Sequence, residues 1–386
     1  MRVVYVCADP GLPVFGRKGG SVHVQEVIRG MRRAGHQVEL LATRLGGDAP
    51  ADLADVAVTA LPPIARGPAA TREEAGRRAN DGLSRALDAL GPVDLVYERY
   101  SLWSSAAMAW ARRVQVPAVL EVNAPLIDEQ AEHRSLVDRH EAEACAAAAF
   151  ADATAVVAVS EPVAAWVRTR TPAPGRVHVV GNGVDPERIV ARPRVHRPER
   201  FTIGFVGTLK PWHGLDTLVD AFALLASGDP TYWLLVVGDG PGAGVLSEGI
   251  ERRGLAPVVT LTGAVDPLAV PGYLHAMDVA VAPYPDLDRF YFSPLKLYEY
   301  LAAGVPVVAS GVGQVAEVID DGRTGVLCPP GDAGALARAI AGLRADPCRR
   351  AAMARAGREE VVAHHSWDGV VRRILTLAGA KTEQAA

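Results

Sequence analysis

The feature that most constrains this chain is an alternation that runs through it twice: short β-branched runs, each followed by a longer amphipathic stretch. Residues 3–7 lead through a Gly-rich turn into an amphipathic run over 21–34, and a second apolar run, 37–41, follows Gly35. The pattern returns at 95–97 with a helix from Trp103, at Ala118–Val122, and at 155–159 with a helix opening at Ser160-Glu161-Pro162. After an interruption it resumes as strand 202–206, helix 215–225, strands 233–237, 258–262 and 279–282, helix 295–302 and strand 306–309. Strands separated by helix-length connections predict parallel sheets covered on both faces, with ligands at the carboxyl ends of the strands.

The interruption over 186–200 holds Pro186, Pro193 and Pro198 among several arginines with no apolar period, and reads as a linker. The expected organisation is an α/β chain of two tandem Rossmann-like, doubly wound domains facing a cleft. The first spans 1–188, a linker 189–200 follows, the second spans 201–365, and a closing helix covers 366–386. A length of 386 residues suits two such domains, and 49% apolar residues supply their cores. The Ala-rich stretch 141–153 reads as a helix.

A net charge of −4, spread evenly, offers no basic field for nucleic acid and no polybasic face for an anionic membrane. Cys7, Cys145, Cys328 and Cys348 are scattered without CxxC spacing, which argues against a disulfide framework or a zinc site and for a reducing cytoplasm. The apolar run at the start stops at Asp9-Pro10, too short for a signal segment, and no run approaches a membrane span. The expectation is a soluble cytoplasmic protein, monomer or homodimer.

Several segments carry possible chemistry. Phe15-Gly16-Arg17-Lys18-Gly19-Gly20 joins the first strand to the first helix, where bare amides can cradle a phosphate; the alternative is a plain βα turn. It is not a P-loop, because Arg17-Lys18 stands where Lys-Ser/Thr is needed. Val236-Val237-Gly238-Asp239-Gly240-Pro241-Gly242-Ala243 fits the dinucleotide pattern G-x-G-x-x-A, but the next strand ends without the ribose-binding acid, so a tight turn is the better reading. Asp286-Leu287-Asp288 lacks a third ligand and reads as a solvated pair, so no metal is expected. Lys210 and His213 lie between a strand end and a helix start, where they either reach a bound anion or are a surface lysine and a helix-capping histidine.

The run Tyr291-Phe292-Ser293-Pro294-Leu295-Lys296-Leu297-Tyr298-Glu299, the following Gly304-Val305-Pro306, Gly181-Asn182-Gly183 and the Gly238 turn together resemble the retaining GT-B glycosyltransferases of family 4. The resemblance covers nearly the whole chain and implies an acceptor-binding first domain and a second domain that binds a nucleoside-diphosphate sugar. It implies that Glu299 accepts hydrogen bonds from ribose, and that residues 263–265, including Gly263 and Val265, lie against the base. Gly19, Gly20, Gly207, Thr208, His213, Tyr291, Ser293 and Leu295 complete the implied donor site, and the helix from Trp367 returns to the first domain.

The sequence departs from that pattern at particular residues. Tyr291 replaces the first Glu of the E-x7-E motif, Pro294 removes an amide that would face the distal phosphate, and Thr208 and His213 stand where the family carries Arg and Lys. Lys210 and Lys296 are the remaining cations for the diphosphate, and Asn123 replaces a His near the anomeric carbon. Lys210, Lys296 and Asn123 are therefore the catalytic candidates. His23, Glu129 and His133 are candidates for acceptor contact, with core or solvated-helix roles as their alternatives.

The expected activity is metal-independent, cofactor-free transfer of a sugar, with retention, to a small soluble acceptor. The rival readings are a nucleotide-sugar epimerase, a non-catalytic sugar-nucleotide binder and an NAD-linked oxidoreductase.

Overall fold

The computed structural model describes residues 1–65, 67–189, 200–287 and 289–379. Asp288, most of the expected linker and the last residues of the expected closing segment lie outside the described residues. The chain divides into two compact units. Unit 1 comprises Met1–Asn182, Tyr291–Ser293 and the segment from Trp367; unit 2 comprises Gly183–Phe290 and Pro294–Ser366.

In unit 1 the strands are β1 (Arg2–Cys7), β2 (Gln37–Ala42), β3 (Ala57–Ala60), β4 (Leu95–Arg99), β5 (Ala118–Val122), β6 (Ala155–Ala158) and β7 (Val177–Val179), ordered β3-β2-β1-β4-β5-β6-β7. All neighbours pair parallel. The helices are α1 (Gly19–Arg33), α2 (Ala69–Asp88), α3 (Ala106–Val114), α4 (Leu126–His133), α5 (Arg139–Asp152) and α6 (Glu161–Arg168). β4 through β6 are almost wholly buried, and this burial makes them mostly apolar, broken only by Glu98 and Arg99 in β4 and Glu121 in β5. The helix expected from Trp103 begins instead at Ala106, since Trp103 takes a φ of +76° that a helix cannot contain.

Unit 2 contains β8 (Phe201–Val206), β9 (Tyr232–Val237), β10 (Val259–Leu261), β11 (Val279–Ala282), β12 (Val307–Ser310) and β13 (Gly325–Cys328), a parallel sheet ordered β10-β9-β8-β11-β12-β13. Its helices are α7 (Leu215–Gly228), α8 (Ala243–Arg252), α9 (Val270–His275), α10 (Leu295–Ala302), α11 (Gly313–Val318), α12 (Ala333–Ala345) and α13 (Pro347–His364). In both sheets the strand order reverses beside the first strand, at β1/β4 and at β8/β11. Such switch points leave a crevice at the carboxyl edge where neighbouring connections part to opposite faces.

The last helix, α14 (Trp367–Leu377), belongs to unit 1 and packs on α1. Trp367 is 2% exposed, its ring lies 5.0 Å from that of His23, and Arg33 pairs with Asp368 at 2.7 Å. Tyr291–Ser293 is held in unit 1 by polar contacts. The Ser160 hydroxyl donates to the Tyr291 carbonyl at 2.7 Å, and the Asn182 side-chain amide donates to the Ser293 carbonyl at 2.6 Å. Where the sequence boundaries fall at 188 and 201, the structure thus closes the first pass of unit 1 at Asn182 and returns to it twice.

Candidate active site

The carboxyl edge of the unit 2 sheet gathers the cations. The Val206 amide donates to the Tyr300 hydroxyl at 2.8 Å, which ties α10 to the end of β8 and brings Lys296, in the first turn of α10, over Gly207. Gly207 has φ +142°, and a β-carbon there would lie 3.3 Å from Lys296 Cε and Nζ, so a glycine leaves room for the ammonium. Lys296 is 8% exposed. Its Nζ sits 4.1 Å from the centre of the Phe205 ring and 5.5 Å from that of Tyr284, and it has no hydrogen-bond partner. Burial lowers this ammonium to about 7 against the opposing pull of Glu299.

His213 joins the same cluster, with its ring 5.8 Å from Phe205 and 5.7 Å from Tyr284. Burial first, then the charges of Lys296 and Lys210, lower its imidazole to about 3, so it is neutral near pH 7, and its Nδ1 is buried without a partner. Lys210 is half-buried, 5.2 Å from the Trp212 ring. A buried donor and a buried acceptor, both unfilled, leave hydrogen-bonding capacity for a polar ligand. The N-terminus of α10 adds partial positive charge to the same place.

The Gly238 turn is built by backbone contact. Gly238 has φ +134°, and a β-carbon there would lie 2.0 Å from the Gly207 carbonyl oxygen. Its amide donates to the Gly263 carbonyl at 3.0 Å, which sets Gly263 and the half-buried Val265 beside the strand ends. Thr208, Leu295 and Glu299 are half-buried around this edge. Lys210, His213, Lys296, Gly207, Thr208, Gly263, Leu295 and Glu299 are therefore all carried by unit 2.

The remaining candidates are in unit 1. Gly19 is exposed and Gly20 half-buried at the start of α1. His23 is 3% exposed and its Nε2 lies 2.7 Å from Glu121 Oε1, so a core partner already occupies it. Asn123 follows β5 with its Oδ1 buried and unpartnered. The Tyr291 hydroxyl donates to Glu129, and burial followed by that bond raises the phenol above its ordinary range. The Ser293 hydroxyl accepts from the Asn182 amide at 3.0 Å, and His133 is exposed at the end of α4. Tyr291 and Ser293 thus stand with unit 1, apart in the chain's division from the Lys296 cluster. Tyr284 and Arg99 belong to no motif; the usable signal is a charged or aromatic residue at the end of an otherwise apolar strand.

Comparison with known proteins finds one family on each side of residues 189–199. A family described as Glycosyltransferase Family 4 covers residues 17–188, and one described as Glycosyl transferases group 1 covers 200–346. The 2-deoxystreptamine glucosyltransferase of Streptomyces kanamyceticus is 30% identical over 298 residues, 71% of this chain and 75% of that protein. The chain spans about half the length of other curated relatives it matches.

Two solved structures share the fold over nearly all of the chain. Sucrose-phosphate synthase from Thermosynechococcus elongatus has a TM-score of 0.75 at 21% identity, with 98% of each chain covered. Anabaena HepE, in complex with UDP and glucose, has a TM-score of 0.72 at 18% identity, with 99% of this chain and 100% of that one covered. The order of the two matched families along the chain, the identity shared over three quarters of a glucosyltransferase and the GT-B fold agree that the chain belongs to glycosyltransferase family 4.

Proposed function

We propose that this glycosyltransferase moves a hexosyl group from a nucleoside-diphosphate sugar to a small hydroxylated, soluble acceptor with retention of anomeric configuration, in the cytoplasm and without a metal. The observation that carries this reading is Lys296: an ammonium buried over Gly207 at a sheet switch point, with no hydrogen-bond partner. An unpaired buried cation is costly, and a diphosphate is the ligand class that offsets the cost through charge-assisted hydrogen bonds. Lys210 adds a second cation, and neutral His213 offers Nδ1 as an acceptor for a sugar hydroxyl. Glu299 is assigned to the ribose and residues 263–265 to the base.

In the reaction the anomeric carbon–phosphate oxygen bond breaks as the acceptor oxygen bonds to that carbon from the same face. The acceptor proton passes to the departing phosphate oxygen. Lys296 and Lys210 stabilise the charge that builds on the diphosphate, and their fixed positions make that stabilisation available without reorganisation. With cations already supplied by side chains, a divalent ion is not needed for charge neutralisation. Asn123 is assigned to hold a substrate hydroxyl, because an amide cannot act as a base. Glu129 and His133 are assigned to the acceptor side.

One relative and one structure of the same fold guide the choice of probes: the first is named as a 2-deoxystreptamine glucosyltransferase, and HepE is described with UDP and glucose. Calorimetry with UDP, GDP, ADP and dTDP is expected to show selective binding of one of them. Transfer from the matching sugar donor to aminocyclitol and sugar acceptors, followed by NMR, is expected to give a product with the donor's anomeric configuration, at undiminished rate in EDTA. A product of inverted configuration would refute retention, and loss of turnover in EDTA would refute metal independence. If no nucleoside diphosphate bound, the reading as a whole would fail.

A further inference from the structure

A second polar cluster lies at the carboxyl edge of the unit 1 sheet. Parallel pairing sets Cys7 of β1 opposite Arg99 of β4, and Arg99 opposite Glu121 of β5, so the three side chains stand in one row across the β1/β4 switch point. Two residues back along the same strands, on the same face, the Tyr5 and Tyr97 rings stack 5.0 Å apart and floor the row. From α1, His23 closes on it: its Nε2 lies 2.7 Å from Glu121 Oε1, with the two side chains 4% and 3% exposed. Trp367 sets its ring nearly perpendicular to that imidazole, at 87°.

Arg99 does not fit a structural ion pair. A guanidinium that merely neutralised Glu121 would close on it through parallel bonds of about 2.8 Å. Here the nearest contact, Arg99 Nη1 to Glu121 Oε2, is 3.9 Å, outside hydrogen-bond reach. Both atoms are buried and without a hydrogen-bond partner. Glu121 gives its other oxygen to His23, so it orients the arginine by charge without capturing it. Arg99 Nη2 meanwhile reaches the start of α1, 3.8 Å from where a β-carbon on Gly20 would sit. The side chain stays 14% exposed, the most accessible member of the Arg99, Glu121 and His23 group.

We propose that Arg99 is a phosphate-holding residue of unit 1, with Glu121 and His23 as its positioning residues, and that its ligand is a substrate oxyanion from the donor diphosphate or from a phosphate on the acceptor. This rests on the glycosyl-transfer reading. The planar fork of Arg99 matches two oxygens of a phosphate, and a lysine in its place keeps the charge but loses that match. Gly20 lets Leu12 pack at the start of α1, where a β-carbon would lie 2.8 Å from Leu12 Cδ1 and 3.8 Å from Arg99 Nη2.

The test uses the full chain with Arg99→Lys, Arg99→Ala, Glu121→Gln and the Arg99→Lys/Glu121→Gln double variant. UDP is titrated for the donor arm, and inorganic phosphate, with UDP saturating, for the acceptor arm. Arg99→Lys is expected to weaken one of the two tenfold or more, and the arm affected names the source of the phosphate. Glu121→Gln should weaken the same arm, with a double-variant loss smaller than the product of the single losses. Added guanidinium should restore binding to Arg99→Ala, a rescue that a purely structural arginine would not show.

Binding by Arg99→Lys within twofold of wild type in both arms would overturn the proposal. Should the variants fail to fold, wild-type crystals soaked in pyrophosphate decide: density on the Arg99 guanidinium supports the proposal, and its absence there overturns it. A wild type that binds phosphate but not UDP would refute the glycosyl-transfer reading while leaving Arg99 in its role. A wild type that binds UDP, beside variants that lose nothing, would do the reverse.

Discussion

Burial holds Lys296 at the point of losing its proton near neutrality. The sign follows from the lowered value: the folded state bears a penalty for the charged lysine below about pH 7, and the penalty fades as pH rises toward the unfolded value. A bound diphosphate favours the charged form, so binding should take up a proton and weaken roughly tenfold per pH unit above 7. Calorimetry in buffers of different ionisation enthalpy checks the uptake. Lys296→Met should abolish both the uptake and most of the affinity while raising ligand-free stability by about 1–3 kcal/mol at pH 6. A variant that binds as before and melts lower would remove Lys296 from the site.

Glu98 is a second buried charge with a different history. Burial raises its carboxyl to about 7 although Ser104 donates to it at 2.5 Å, and its other oxygen has no partner. This is a local cost inside β4, one register step before Arg99, and it shows how much polar strain the unit 1 strand ends tolerate.

At the scale of elements, α10 decides where Lys296 sits, and its anchor to the sheet is the bond from the Val206 amide to Tyr300. Tyr300 is fully buried, so removing its hydroxyl leaves a buried amide without its partner. Tyr300→Phe is expected to cost about 1–2 kcal/mol of stability and to weaken nucleotide binding severalfold, because the helix loses its register over Gly207. Denaturant melts and calorimetry on the same sample check this. Loss of stability with unchanged affinity would show that packing alone sets α10.

Across the whole molecule, the chain's order in sequence and its order in space diverge. The α14 segment follows the whole of unit 2 in the chain, yet its Trp367 is buried in unit 1 against His23, and a β-carbon on Gly30 of α1 would lie 2.7 Å from Val371. Trp367→Ala should therefore destabilise unit 1 by about 3–5 kcal/mol while leaving unit 2 close to its wild-type protection. Hydrogen exchange on the full chain reads both: amides of α1 and β5 should lose protection, and those of β8 and β11 should not. Equal loss in both sheets would contradict the assignment of α14.

Much of the fold was legible because strands buried on both faces are mostly apolar while amphipathic helices repeat with the helical turn. The strands Ala118–Val122 and Val279–Ala282 and the helix Leu295–Ala302 fall where those patterns place them. β3 was not visible, since its short segment Ala-Val-Thr-Ala is largely exposed at a sheet edge and carries no run long enough to register. Sequence alone determined the parallel α/β class and the cations at strand ends, because periodicity and local turn chemistry are properties of neighbours in the chain. Only the tertiary structure decided that Lys296 is buried and unpaired, that His23 is occupied by Glu121, that Tyr291 and Ser293 stand in unit 1, and that Arg99 holds an open fork. Those facts depend on contacts between residues distant in the chain, and on which polar atoms the packing leaves unfilled, and neither is encoded in local pattern.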